Sequence, residues 1–217
     1  MGKANRSKQQ QATKAKNQVE HNVISAQALK NPLTRLTALT KFDVEHDQIL
    51  DSDSLTSLKK GVLNIQFYKA PLPHDLNNAC MALFKKNMGD YYKSSSWGLN
   101  LKEKEKELLH HDARFLIVTQ NKNETNDQSK EELLAFSHFR FEVNDDETPN
   151  IEVLYVYEIQ IHSNARRRGM GRRLMSIMEL VAIQTKMKKV MREFHLRFKL
   201  LNDCNFEKTR ILRFPNF

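Results

Sequence analysis

The chain has 217 residues, 40% hydrophobic and 28% charged, with a formal net charge of +9. It is long enough for one domain with a real core plus an extension. It has no apolar run near the roughly 18 residues that a membrane span needs. Its two cysteines, Cys80 and Cys204, give neither a disulfide framework nor metal spacing, which makes a reducing compartment the default. The charge is uneven: residues 1–19 carry five Lys/Arg and no acid, residues 164–217 carry fourteen against four, and the stretch between is net −6. Such a pattern differs from a uniform nucleic-acid face. It suits a polyanion held at one place and a basic ligand at another, and equally a basic tail with solvated helix faces.

Residues 1–20 are polar and Lys/Gln-rich, and are expected to be a disordered basic tail, helical only at the far end. They lack the apolar core of a secretory signal, and Arg6 spoils a myristoylation match. Val23, Ile24, Ala28, Leu29, Leu33 and Leu36 predict two short helical pieces broken at Pro32. Residues 40–60 read as a polar connection, so 21–60 form a helical extension. Val62–Tyr68 reads as a strand closed by Pro71 and Pro73, and Leu76, Cys80, Leu83, Phe84 and Met88 mark a helix over about 74–88. An aromatic loop, Tyr91–Gly98, and a short charged helix, residues 101–109 with Lys/Glu pairs along it, follow. Strands at 115–118, 133–143 and 151–161 are expected to be consecutive and antiparallel, separated by a polar insert (120–131) and an acidic turn (144–150). Leu174, Ile177, Met178, Val181 and Ala182 then mark a final amphipathic helix.

The run Arg166-Arg167-Arg168-Gly169-Met170-Gly171 joins the last of these strands to the last helix. Two of only six glycines stand here, where a helix start presents unpaired N–H groups and the helix dipole favours anions. Neighbouring guanidinium groups suit phosphate oxygens, so the local reading is a diphosphate cradle. A dinucleotide fold is disfavoured, because Leu174 stands where a third glycine would be. A bulge or splay at Ile159–Gln160–Ile161 would free backbone groups for an extended amide-bearing arm. Simple alternation puts Val153, Tyr155, Tyr157 and Ile159 on one face and Leu154, Val156, Glu158 and Gln160 on the other. Glu158, among apolar neighbours, reads as a general base with a raised pKa, or as an exposed strand Glu or structural ion pair. Tyr91, Tyr92 and Trp97 suit a peptide groove or plain packing. Glu142 and the acids Asp145, Asp146 and Glu147 suit a basic peptide or a solvated turn. His110-His111 reads as surface, with no metal site.

With these residues in place, the chain resembles the GNAT acetyltransferase superfamily, whose pyrophosphate loop Arg166-x-x-Gly169-x-Gly171 matches. It is similar in particular to the NatD-type N-α-acetyltransferases of histones 2A and 4. The residues that carry this are Ser96–Gly98, Ala135–Phe141, Val153–Glu158, Arg166–Gly171 and Met187–Met191, within a span of roughly 40–191. The resemblance implies an α/β (α+β) GNAT fold with a mixed, mostly antiparallel sheet flanked by helices, over about 61–191. It implies acetyl-CoA as co-substrate, bound by Ile159, Gln160, Ile161 and Arg166–Gly171 (Arg167, Arg168 and Met170 included). Glu158 would be the catalytic base with Tyr157 beside it. Tyr92, Trp97, Glu142, Tyr155 and Tyr157 would hold a histone N-terminus beginning Ser-Gly-Arg-Gly. A monomer is expected in nucleus and cytoplasm, needing no metal, membrane or nucleic acid. Glu142 and Asn144 stand where the family has Asp and a second acid, and residues 192–217 depart from the family's C-terminal strands. A lysine N-ε-acetyltransferase, or an impaired variant serving as a binding module, are the alternatives.

Overall fold

A computed structural model describes residues 3–44, 61–94, 98, 100–120, 132–146 and 148–192. A single six-stranded sheet organises them, in the order β1 (Lys41–Val44), β2 (Gly61–Lys69), β3 (Arg114–Gln120), β4 (Glu132–Asn144), β5 (Ile151–Ile161) and β6 (Lys189–Arg192). The first five pair antiparallel, and β5 pairs with β6 in parallel. That parallel step requires a crossover, which α5 (Met170–Gln184) supplies. The mixed, mostly antiparallel architecture expected from the sequence is therefore present, with β3, β4 and β5 consecutive. β1 is new: its residues were read as a polar connection, yet they pair with Gly61–Asn64.

Helices cover both faces. On one face α1 (Lys3–Ala28) and α5 pack on β2–β6 through Val23, Ala26, Leu174, Ile177, Val181, Phe139, Phe141, Leu154 and Val156. On the other, α3 (His74–Ser94) and α4 (Leu101–Leu108) pack through Cys80, Leu83, Phe84, Met88 and Leu108 onto Phe115, Ile117 and Phe136.

Residues 3–20, read as a tail, belong to α1, so the division at residue 20 falls inside a continuous helix. Their Ala, Gln and Lys content favours helix wherever a helix is already anchored. The anchor lies further on. Asn22 donates to Glu152 (2.8 Å) and Gln27 to the Phe141 carbonyl (3.0 Å), while Val23 and Ala26 are buried. Ile24 and Leu29, expected on the apolar stripe, are exposed. The carbonyls that end α1 are covered by Lys69 Nζ (3.1 Å to Gln27) and Arg114 Nη2 (2.9 Å to Gln27), cations suited to a helix C-terminus. After α1, Pro32 opens a 3-10 turn, Pro32–Arg35, capped by Asn31 accepting from the Leu33 N–H (2.9 Å), which is the break expected there.

Candidate active site

The site is built on an irregularity in the pairing of β4 with β5. His138 stands opposite Glu158, but the next residue, Phe139, stands opposite Val156. Tyr157 is the extra residue of a β-bulge, and a bulge resets side-chain alternation. Tyr157 and Glu158 therefore both face α3 and α4. The Tyr157 ring stacks on His138 (5.0 Å between centroids), and Glu158 meets Lys104 of α4. The expected alternation holds through Val156 and is overturned beyond it: Glu158 does not share a face with Leu154 and Val156, and Ile159 packs into the opposite, apolar core. The bulge thus lies at Tyr157, not at Ile159–Ile161.

Glu158 is 5% exposed, and its neighbours are polar, not apolar as the sequence suggested. Lys104 Nζ donates to its Oε2 (3.1 Å) and Gln160 Nε2 to its Oε1 (2.7 Å). Burial pushes the Glu158 carboxyl above its ordinary pKa, and Lys104 and Gln160 oppose that shift without cancelling it. Lys104 also donates to Glu107 Oε1 (2.6 Å) and sits over the Phe84 ring (5.0 Å to the centroid). The short charged helix therefore hides its central lysine. Leu101, Lys104 and Leu108 share one helical face, and this spacing is the signal that a closer reading of the sequence would have used.

From Gln160 the hydrogen bonds continue towards the glycine loop. Asn87 Nδ2 of α3 donates to Gln160 Oε1 (2.8 Å) and to the Ile161 carbonyl (3.0 Å). Arg166 Nη2 donates to Asn87 Oδ1 (2.6 Å), and its Nε to the same Ile161 carbonyl (3.2 Å). Arg166 is thus turned inward as a brace, while Arg167 is exposed. Gly169 is the N-cap of α5 at φ 72°, a left-handed conformation that favours glycine. Gly169 has no side chain with which to cap this helix start, and among the described residues a Cβ there would meet nothing within 4 Å. The first-turn amides of Met170 and Gly171 lie at that open end, where intrahelical acceptors are lacking.

The expected substrate residues divide. Tyr155 and Tyr157 have ring centroids 4.8 Å apart, and Tyr157 Oη donates to Glu142 Oε1 (2.6 Å). Burial and Glu142 together push the Tyr157 phenol well above its usual range. Arg140 lies over the Tyr157 ring (4.5 Å) and 4.0 Å from Glu142. Glu142 is therefore engaged by the chain's own groups. Tyr92 belongs to α3, not to a loop, and its ring packs on Phe84 (5.8 Å), the same ring that carries Lys104. Trp97 and Glu147 lie outside the described residues, as do 193–217.

His138 escaped the sequence reading as a site residue. It is fully buried, with its ring stacked between Phe115 (5.2 Å) and Tyr157, and its Nδ1 is 3.5 Å from Glu107 Oε1. Burial holds its imidazole down at about 4, so it is neutral at pH 7. His110, His111 and Asp112 bring their ligand atoms within 4.8 Å of one another, an arrangement that the reading of His110-His111 as surface did not foresee.

No family model matches the chain. Solved structures similar to it include an aminoglycoside N-acetyltransferase in complex with CoA, 12% identical over 71% of this chain and 94% of that one, TM-score 0.45. Another is an aminoglycoside acetyltransferase from an uncultured soil metagenomic sample in complex with trehalose, 12% identical over 71% and 95%, TM-score 0.44. A third is a ribosomal-protein-alanine N-acetyltransferase from Brucella melitensis, 15% identical over 70% and 99%, TM-score 0.40.

Proposed function

We propose that this chain is a GNAT-type N-α-acetyltransferase that moves an acetyl group from acetyl-CoA to the free N-terminal amine of histones 2A and 4. One observation carries the reading. The bulge at Tyr157 turns Tyr157 and Glu158 to one face, and hydrogen bonds run from Glu158 through Gln160 and Asn87 to Arg166 at the glycine loop. A buried carboxylate is thereby tied to an anion-accepting helix start. The residues present fit the coenzyme: the uncapped amides at the start of α5, the open space over Gly169 and the exposed Arg167 suit a diphosphate. Arg166, expected as a phosphate ligand, has its guanidinium turned inward to brace Asn87 and Ile161.

Acetyl-CoA supplies an activated acyl thioester. The chain's own residues select and deprotonate the amine. Only a neutral amine attacks, and at pH 7 the neutral fraction of an α-amine exceeds that of lysine roughly two-hundredfold. A carboxylate base is therefore sufficient, and Glu158 accepts the proton directly or through a water. Tyr155 and Tyr157 flank the amine, and Glu142 fixes the Tyr157 hydroxyl so that the ring cannot swing away. The acidic groups of the 142–146 region favour a basic peptide. The reading carries with it a monomer acting in nucleus and cytoplasm.

The test is acetylation of a lysine-containing peptide that begins Ser-Gly-Arg-Gly, with its N-terminal amine free or blocked. The free peptide is the expected substrate. A better blocked peptide means lysine chemistry, and turnover of neither means that the chain is not this enzyme. Gly169→Glu is expected to abolish the rise in melting temperature given by acetyl-CoA, because its carboxylate repels the diphosphate. An unchanged rise would remove the cradle.

A further inference from the structure

Both carboxylate oxygens of Glu158 are held, and by different elements. Oε1 takes a hydrogen bond from Gln160 on its own strand, and Oε2 takes one from Lys104 on α4. Gln160 is itself fixed by Asn87 of α3, so this side of the clamp leads to Arg166 and the glycine loop. Lys104 is fixed on its other side by Glu107 and by the Phe84 ring beneath its ammonium. The lysine is 7% exposed, so its charge is not a surface decoration. A lysine buried this deeply is costly unless each partner it meets is ionised or an acceptor.

We propose that Lys104 is a positioning residue for Glu158, its ammonium fixing one carboxylate oxygen while Gln160 fixes the other, so that the carboxylate form is supported and the base points one way. This deepens the reading above and rests on it for the word base. The clamp itself is a property of the unliganded protein. Among the described residues, the groups facing Glu158 include Lys104 and Glu107 from α4, His138 opposite it on β4, and Gln160 beside it; Arg140 stands over the neighbouring Tyr157. Among them Lys104 is the cation in direct contact. His138 is neutral, and Glu107 is a second carboxylate whose charge disfavours an ionised Glu158, with Lys104 in contact with both.

Lys104→Met keeps the stem over Phe84 and deletes the charge. Two readouts in the full chain separate the claims. The first is the titration midpoint of the Glu158 side-chain carbonyl carbon, followed by NMR without ligand. Lys104→Met is expected to raise it by about one pH unit or more, and Lys104→Arg to leave it near the wild-type value. The second is turnover of acetyl-CoA with the free Ser-Gly-Arg-Gly peptide. The acid limb of the kcat profile is expected to move up with the midpoint, kcat at pH 7 to fall about tenfold, and thermal stabilisation by acetyl-CoA to persist. If Lys104→Met fails to fold, the double variant Lys104→Met/Glu107→Gln removes one stranded carboxylate and carries the same NMR test. A midpoint that does not move overturns the proposal, even in an active enzyme. A wild-type chain that leaves the peptide untouched, with the midpoint moving as expected, sinks the acetyltransferase reading and leaves the clamp standing.

Discussion

The two faces of the sheet are made from the same strands and differ in what they bury. Towards α1 and α5 the buried residues are apolar almost throughout, with Phe139, Phe141, Leu154 and Val156 meeting Leu174, Ile177 and Val181. Towards α3 and α4, Phe115, Ile117 and Phe136 share the interior with Lys104, His138, Arg140, Glu158 and Gln160. Packing on the first face is governed by area and volume. Packing on the second must also satisfy hydrogen bonds and charge, which costs stability and confers chemistry. The second face is where a reaction can be run, and the first is what holds it still.

Four experiments break or sharpen this contrast, from the largest effect down. On the apolar face, Phe139→Ala should cost about 3–5 kcal/mol in denaturant unfolding, because the ring is fully buried against Phe67 and Phe141. Activity per folded molecule should be retained. A loss below 1 kcal/mol would show that the face is loosely packed.

Acid should act through the opposite face. His138 is held at about 4 in the folded chain, against roughly 6.5 when unfolded. Between those values the unfolded chain binds the proton that the folded one refuses, so stability falls as pH drops through that window. The full contribution is about 3 kcal/mol, present above pH 6.5 and lost by about pH 4. His138→Phe should flatten this part of the stability–pH curve, and an unchanged slope would assign the acid sensitivity elsewhere.

Glu158→Gln removes the base and keeps the shape. Turnover of acetyl-CoA with a free histone N-terminus should fall roughly a hundredfold, about 2.7 kcal/mol in barrier, with little change in coenzyme affinity. Wild-type turnover in this variant would discard Glu158 as the base. The smallest effect is expected for Tyr157→Phe, which loses the 2.6 Å hydrogen bond to Glu142 and keeps the ring stacked on His138. KM for the peptide should rise severalfold, equivalent to about 1 kcal/mol. Equal losses in Tm and KM would mark the bond as structural.

The sequence alone determined the order of strands and helices over 61–184, the glycine loop and its place before α5, and Glu158 as the residue to watch, because periodicity, turn chemistry and motif spacing are local properties. The extent of α1 was not legible, since a polar, Lys/Gln-rich stretch takes its state from the helix to which it is joined. Nor was the partnership of Glu158 legible. Lys104 lies 54 positions away in a helix that looks solvated, and Asn87 and Arg166 are 79 apart. Most decisive was one extra residue in β5 opposite β4. A strand read alone alternates without interruption, whereas register belongs to a pair of strands, and only their pairing could turn Tyr157 and Glu158 to the same side.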